Sequence, residues 1–256
     1  MSRLCAKDAL IQRAMAQVIT KKIHAQQLTE ITHLKGHGGV LQSVRECQEK
    51  LGSYAWVLKS DVQSFYESIN HDVLIQRLWD FGLDKRMVRL CSQAINRVET
   101  FGGLFCSITQ GLAKSSPLSV PLSTIMLMPL DRVSKKYGYY RRYMDDWVLL
   151  CHDRKSLKMA VKRTHDVLDS LNLKMHPDKT YIGQTQRGFD FLGWHISPYH
   201  RVPSTQAVRR HASRLEKRLL MGESEACLAL ARKRHWAWVN GALGGWNIKK
   251  NLPDKA

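Results

Sequence analysis

Tyr139-Tyr140-Arg141-Arg142-Tyr143-Met144-Asp145-Asp146-Trp147-Val148-Leu149-Leu150 reads as a strand, a two-aspartate turn and a second strand. Strongly apolar residues flank the turn. Adjacent like charges repel, and folding alone gives no reason to set two carboxylates at the tip of a buried hairpin. A solvated hairpin tip would explain an isolated Asp-Asp pair. A second segment argues against it: Ala55-Trp56-Val57-Leu58-Lys59-Ser60-Asp61-Val62 reads as a strand that also ends on an aspartate. Divalent cations supply the missing reason. Mg²⁺ takes hard oxygen ligands, a few carboxylates together with substrate phosphates. Two such ions, about 3.5–4 Å apart, stabilise both the attacking and the leaving oxygen of a phosphoryl transfer. Asp61 and the Asp145-Asp146 pair are distant in the chain, so the fold must bring them together.

The charge agrees with a phosphate-rich partner. Forty Lys and Arg against twenty-two Asp and Glu give +18, and the pI is near 9.8. A surplus of this size attracts polyanions, nucleic acid foremost. A hydrophobic fraction of 44% and a charged fraction of 24% are those of a globular chain, so disorder is excluded as the default. The six cysteines, Cys5, Cys47, Cys91, Cys106, Cys151 and Cys227, form no Cys-x-x-Cys pair. Zinc-finger and thioredoxin-type chemistry are thereby excluded, and free thiols fit a reducing cytoplasm. Arg3, Lys7 and Asp8 interrupt the N-terminus, so no secretory leader is expected. No run of about 18 apolar residues exists, so no membrane span is expected.

Around the two aspartate strands the pattern alternates helix and strand. A helix is expected over 5–28, with Ala9, Leu10, Ala14, Val18 and Ile19 on one apolar face. Lys35-Gly36-His37-Gly38-Gly39 is a flexible basic loop, and 40–51 a helix. Asn70 caps a helix over 71–81, and another helix covers 84–97. A hairpin folds around Gly102-Gly103 over 100–108. A buried helix spans 116–131, and an amphipathic helix 155–171. Two further strands cover 179–183 and 189–196. From about Thr205 the chain is helical and basic to near Trp246. Strands paired out of sequence order and backed by helices make an α+β fold.

Five segments then resemble a known family, in the family's order. Tyr143-Met144-Asp145-Asp146 looks like the signature turn of reverse transcriptases. Val57-Leu58-Lys59-Ser60-Asp61-Val62-Gln63-Ser64-Phe65-Tyr66 resembles their first aspartate motif. Gly111-Leu112-Ala113-Lys114-Ser115-Ser116-Pro117-Leu118-Ser119 resembles the segment lining template and incoming nucleotide. Leu171-Asn172-Leu173 through Pro177-Asp178-Lys179-Thr180 is similar to the next motif, and Phe191-Leu192-Gly193 to the primer-gripping hairpin. The likeness covers roughly residues 30 to 200 and is nearest to bacterial enzymes of the group II intron, retron and phage-defence kinds.

The resemblance implies a right-hand polymerase fold, with an antiparallel palm sheet, short fingers and a small helical thumb. Residues 1–54 would be fingers and 55–198 palm, with an inserted fingers segment near 72–108. Residues 199–256 would be the basic thumb. Asp61, Asp145 and Asp146 would be catalytic and bind two Mg²⁺, or Mn²⁺ in their place, with the Val62 carbonyl as a further ligand. Phe65, Tyr66, Lys114, Lys179, Lys35 and Arg45 would meet the nucleotide. Among these, Tyr66 would exclude a 2′-hydroxyl, and Lys179 would protonate the leaving pyrophosphate. Gly111, Ser119, Met144, Phe191, Leu192, Gly193, Arg209, Arg210 and Arg214 would meet template or primer. The implied partners are an RNA template, a DNA or RNA primer and deoxynucleoside triphosphates, with a non-coding RNA or protein as a possible helper and no membrane.

Ala113 and Ser115 depart from the family's usual proline and glycine, and Val120-Pro121 inverts its usual order, which bears on template preference. The helical spacing of Trp236, Trp238 and Trp246 points to core packing in the thumb. Rival readings are a polymerase making RNA or untemplated DNA, a silent RNA-binding module, and a nuclease using the same metals. The intact aspartate set argues against the silent module, and the nuclease leaves 111–119 and 191–193 unexplained. Retroelement mobility, phage defence and sequence diversification all use such a core.

Overall fold

A computed structural model describes residues 4–96 and 98–242. Its N-terminal helix α1 (Ala6–His24) starts at Cys5, whose Sγ accepts the Asp8 N–H. The buried stripe of α1 is Gln12, Met15, Ala16, Ile19 and Ile23. This corrects the expected face: Leu10 and Val18 are 70% and 58% exposed. Both stripes have helical spacing, and tertiary packing selects the one that carries Met15 and Ile23.

Helix α2 (Gly39–Lys50) leads to strand β1 (Trp56–Asp61), a one-turn helix α3 (Phe65–Ser68) and helix α4 (His71–Asp80). Asn70 caps α4 through the Val73 N–H at 3.0 Å, as its position predicted. Asp84 does the same for α5 (Lys85–Ile95) through Met87. Strands β2 (Val98–Phe101) and β3 (Leu104–Ser107) form the expected hairpin, with Gly102 and Gly103 both at positive φ.

Helix α6 (Ser119–Ser134) is displaced by three residues from the expected span. Its start is delayed because the Ser119 Oγ donates to Ala113 O at 2.6 Å, which shapes the preceding segment as a loop. Its end runs past Asp131 because that carboxylate is fully satisfied inside the core, as described below.

Strands β4 (Tyr139–Tyr143) and β5 (Asp146–Cys151) follow, then helix α7 (Arg154–Ser170) and strand β6 (Tyr181–Gln184). The order β4-β5-β1-β6 is antiparallel throughout. Gly138 enters β4 against the Leu150 carbonyl, where a Cβ would collide with backbone.

Both faces of the sheet are covered. Leu58, Tyr140, Trp147 and Leu149 pack against a core that includes Ile19, Leu74, Met126 and Leu168 from four helices. Val57, Val148 and Leu150 pack on Val44 and Cys47 of α2 and on Phe189, Phe191, Trp194 and Ile196. Hence β5 reads as a continuous apolar run from Trp147 to Cys151 rather than an alternating one. Each fully buried leucine here contributes about 1.5–3 kcal/mol. Burial of Cys47, Cys91 and Cys151 pushes their thiols up to about 12, so they serve as small apolar groups.

The span 189–196 resolves into a hairpin, β7 (Phe189–Phe191) and β8 (Trp194–Ile196), joined at Leu192 and Gly193, both at positive φ. A short strand β9 (Arg201–Pro203), too brief to stand out in the sequence, completes a second sheet. The basic region then forms two helices, α8 (Thr205–Leu220) and α9 (Glu225–Ala242), broken at Gly222, where φ is +73°. Trp236 is 52% exposed, against the expected core packing. Trp246 lies outside the described residues, and so does the segment after it. Among the described residues no helix is long and apolar enough to cross a membrane.

Candidate active site

The register of β1 and β5 sets Asp61 directly opposite Asp146. The Val62 N–H donates to the Asp145 carbonyl at 3.3 Å, which latches the end of β1 to the aspartate turn. Asp61 is held from the other side, because its carbonyl accepts the His176 N–H at 2.8 Å. The two expected strand ends are therefore one place in the fold.

Two lysines sit on these carboxylates. Lys59 lies two residues before Asp61 and so on the same face of β1. Its Nζ is 3.3 Å from Asp146 Oδ1. Lys179 Nζ is 2.9 Å from Asp61 Oδ1. Burial pushes the Asp146 carboxyl up to about 7, against the pull of Lys59. Burial also raises Asp145, with the charge of Asp61 adding to it. Among the described residues no three His, Cys, Asp or Glu side chains close into a ready-made metal cage. The donor set nevertheless fits a divalent cation. It offers hard carboxylate oxygens, Asp146 Oδ1 is buried without an aligned hydrogen bond, and the raised carboxyls mark a deficit of positive charge.

The turn itself is strained. Met144 has φ +57°, a left-handed conformation uncommon for a side chain of this size. Arg142 holds it from below, with Nη1 donating to the Met144 carbonyl at 2.8 Å. The Arg142 guanidinium also makes a bidentate pair with Asp131, both bonds 2.6 Å, and Tyr140 Oη donates to the same carboxylate at 2.9 Å. Arg142 and Asp131 side chains are 1% and 2% exposed. Above the turn, His33 Nδ1 accepts the Met144 N–H at 3.0 Å.

The 111–119 segment is zipped onto the first aspartate motif. The Gly111 N–H donates to Ile69 O at 2.8 Å and the Leu112 N–H to Tyr66 O at 2.7 Å. Gly111 sits at φ +85° against the backbone of Tyr66 and Glu67, so a Cβ would be both strained and crowded. Tyr66 is half-buried, its ring edge-on to the buried Phe65 at 5.6 Å. Burial raises its hydroxyl above the usual range. Lys114 is exposed and paired with Glu67 at 2.5 Å.

The remaining expected residues divide. Lys179 reaches the aspartates. Lys35 is exposed in its glycine loop, and Arg209, Arg210 and Arg214 are exposed on α8. Ser119 and Phe191 are buried and shape their segments from within, leaving Leu192 and Gly193 at the hairpin tip. Arg45 is exposed on α2. Burial lowers the Arg201 guanidinium of β9, and the charge of Arg45 adds to it. Sequence reasoning passed over Lys59, His33, Arg142 and Asp131. A lysine within an apolar strand was a usable signal for the first; the other three depend on contacts between distant segments.

A family model for "Reverse transcriptase (RNA-dependent DNA polymerase)" matches residues 2–196. Protein YkfC of Escherichia coli is 25% identical over 230 residues, covering 73% of this chain and 60% of that protein. A putative COX1/OXI3 intron 1 protein of Saccharomyces cerevisiae is 20% identical over 263 residues, covering 79% of this chain and 32% of its own length. The chain thus spans from about a third to three fifths of these relatives. Apo telomerase from Candida tropicalis has a similar fold, with TM-score 0.61 at 12% identity, over 77% of this chain and 41% of that one. Telomerase from Candida albicans, solved with a fragment of telomeric RNA, gives TM-score 0.58 at 14% identity, over 75% and 38%. At these identities the likeness shows a right-hand polymerase fold.

Proposed function

The chain belongs to the reverse transcriptase (RNA-dependent DNA polymerase) family, and from that premise we propose that it copies RNA into DNA by adding deoxynucleotides to a primer 3′-hydroxyl. One observation carries this reading: Asp61, Asp145 and Asp146 meet at the ends of adjacent antiparallel strands, beside a Tyr66 onto which the 111–112 backbone is zipped.

The carboxylates of Asp61, Asp145 and Asp146, with the Val62 carbonyl, would hold two Mg²⁺ or Mn²⁺. When bound, these ions supply Lewis acidity and neutralise phosphate charge during in-line displacement. The chain's own residues do the rest. Tyr66 closes the sugar side of the nucleotide and favours deoxyribose. Lys179, beside Asp61, gives an Nζ proton to the departing pyrophosphate. Lys114 and Lys35 attract the triphosphate. Positioning and a preset field supply most of the rate.

Residues 1–54 serve as fingers, 55–198 as palm with an inserted fingers segment near 72–108, and 199–256 as thumb. In the thumb, Arg209, Arg210 and Arg214 neutralise backbone phosphates without reading sequence, and the exposed Trp236 offers a stacking face. Leu192 and Gly193 of the hairpin tip, together with Met144, support the primer end. Similarity to an intron protein favours a retroelement setting, in which a non-coding RNA or protein partner works with the enzyme.

The test is extension of a DNA primer on an RNA template with Mg²⁺, comparing deoxynucleotides with ribonucleotides. The reading expects template-length DNA from deoxynucleotides alone. Extension with ribonucleotides only, or without template, would overturn it.

A further inference from the structure

We propose that His33 is a positioning residue for the aspartate turn, fixing the Met144 peptide so that Asp145 and Asp146 face Asp61, and tying that turn to Thr124 near the start of α6. The claim rests on the polymerase reading above.

His33 reaches the turn from 111 positions away in the chain. A main-chain N–H can only donate, so Nδ1 of His33 meets the Met144 N–H as a bare lone pair. In the neutral ring the hydrogen then lies on Nε2, which is 2.8 Å from Thr124 Oγ1. Thr124 in turn gives its own hydrogen to the Val120 carbonyl at 2.8 Å. The three bonds form one ordered chain, Met144 N–H to His33, His33 to Thr124, Thr124 to Val120. Moving the ring hydrogen to Nδ1 would set it against the Met144 N–H, and turning the Thr124 hydroxyl toward Nε2 would leave the Val120 carbonyl facing a bare hydroxyl oxygen.

The segment bearing His33 is itself fixed. The Arg142 N–H donates to Glu30 O, the Thr32 N–H donates back to Arg142 O, both at 2.9 Å, and Ile31 bridges Arg142 in parallel. The ring also packs edge-on to Tyr143, with centroids 5.9 Å apart.

Met144 is the residue that needs such a brace. Its left-handed backbone places both of its peptide polar groups where no regular β-ladder serves them. Arg142 claims the carbonyl and His33 the N–H. Residue 123, adjacent to Thr124, faces the nucleotide side: Ser123 Oγ is 3.5 Å from Tyr66 Oη. Consecutive residues of one helical turn thus contact the sugar-side tyrosine and the brace of the aspartate turn. A histidine that merely filled space would stabilise the fold without setting the orientation of this peptide.

The test compares wild type with His33→Ala, His33→Asn and Thr124→Val. Asn places its Oδ1 where Nδ1 stood and can still accept the Met144 N–H. For His33→Ala we expect turnover to fall about 10- to 100-fold, as when a group that orients a ligand is lost, with KM for the nucleotide little changed. His33→Asn should restore most of that loss, and Thr124→Val should show an intermediate one. Two readouts need no activity. In metal-free ¹⁵N-labelled protein, His33 should show a bare Nδ1 and a protonated Nε2. The Met144 amide should be protected from hydrogen exchange in wild type and His33→Asn, and exposed in folded His33→Ala. Unchanged protection or turnover in His33→Ala, or an Asn variant as impaired as Ala at equal melting temperature, overturns the proposal. A wild type that extends no primer removes the polymerase reading instead, and the tautomer and exchange measurements then decide the positioning claim by themselves.

Discussion

Lys59 Nζ lies 3.3 Å from Asp146 Oδ1 inside the central sheet, an ion pair whose side chains are 11% and 22% exposed. A charge is stranded if either partner is lost. Lys59→Met should lower turnover on the order of tenfold, the factor set by about 1.4 kcal/mol of lost charge compensation. Lys59→Arg should fall less, because it keeps the charge and changes only its shape. Single-turnover extension by the two variants checks this, and equal losses would show that shape matters and charge does not.

Asp131 and Arg142 form a pair buried almost completely. Removing one partner of such a pair leaves an uncompensated charge in the core, at a cost of about 3–5 kcal/mol. Asp131→Ala should therefore lower the denaturant midpoint sharply. Asp131→Leu combined with Arg142→Met should recover much of the loss in stability while leaving the Met144 carbonyl without its donor. Chemical denaturation of the single and double variants measures the coupling.

Burial, and then the charges of Arg142 and His37, lower the His33 imidazole from its usual value to about 3. Thr124 of α6 and the Met144 amide face the same ring and leave no acceptor for an added proton. The unfolded chain takes up this proton near pH 6.5 and the folded chain does not. Stability from this group is full above about pH 6.5 and is lost as pH falls toward 3, at up to about 1.4 kcal/mol per pH unit. Unfolding free energies across that window should fall more steeply in wild type than in His33→Asn. Parallel curves would assign the acid sensitivity elsewhere.

Arg209, Arg210 and Arg214 are exposed on α8. If each neutralises one phosphate, replacing all three by alanine should flatten the salt dependence of duplex binding by about 0.9 per contact in log–log slope. The effect should be the same for unrelated sequences. A triple variant with the wild-type slope would move the nucleic acid off this helix.

The aspartates were legible because each ends an apolar strand, and a sheet with β1 and β5 adjacent is a simple way to join them. The cap at Asn70 and the Gly102-Gly103 hairpin are equally local in origin. What escaped detection depends on partners far apart in the chain. The face of α1 was ambiguous because Leu10 and Val18 share helical spacing with the buried stripe, and only packing chose between them. The expected buried helix stopped at Asp131, whereas α6 runs on to Ser134 with that carboxylate held by Arg142 and Tyr140, partners from the next strand. His33 carried no pattern of its own, since its role is defined by a peptide 111 positions later.

The central claim is tested most directly by primer extension on an RNA template with Mg²⁺ and deoxynucleotides, comparing wild type with Asp145→Ala/Asp146→Ala. Template-length DNA from the wild type and none from the double variant is the predicted result. Equal extension by both would place the chemistry outside this site and contradict the account.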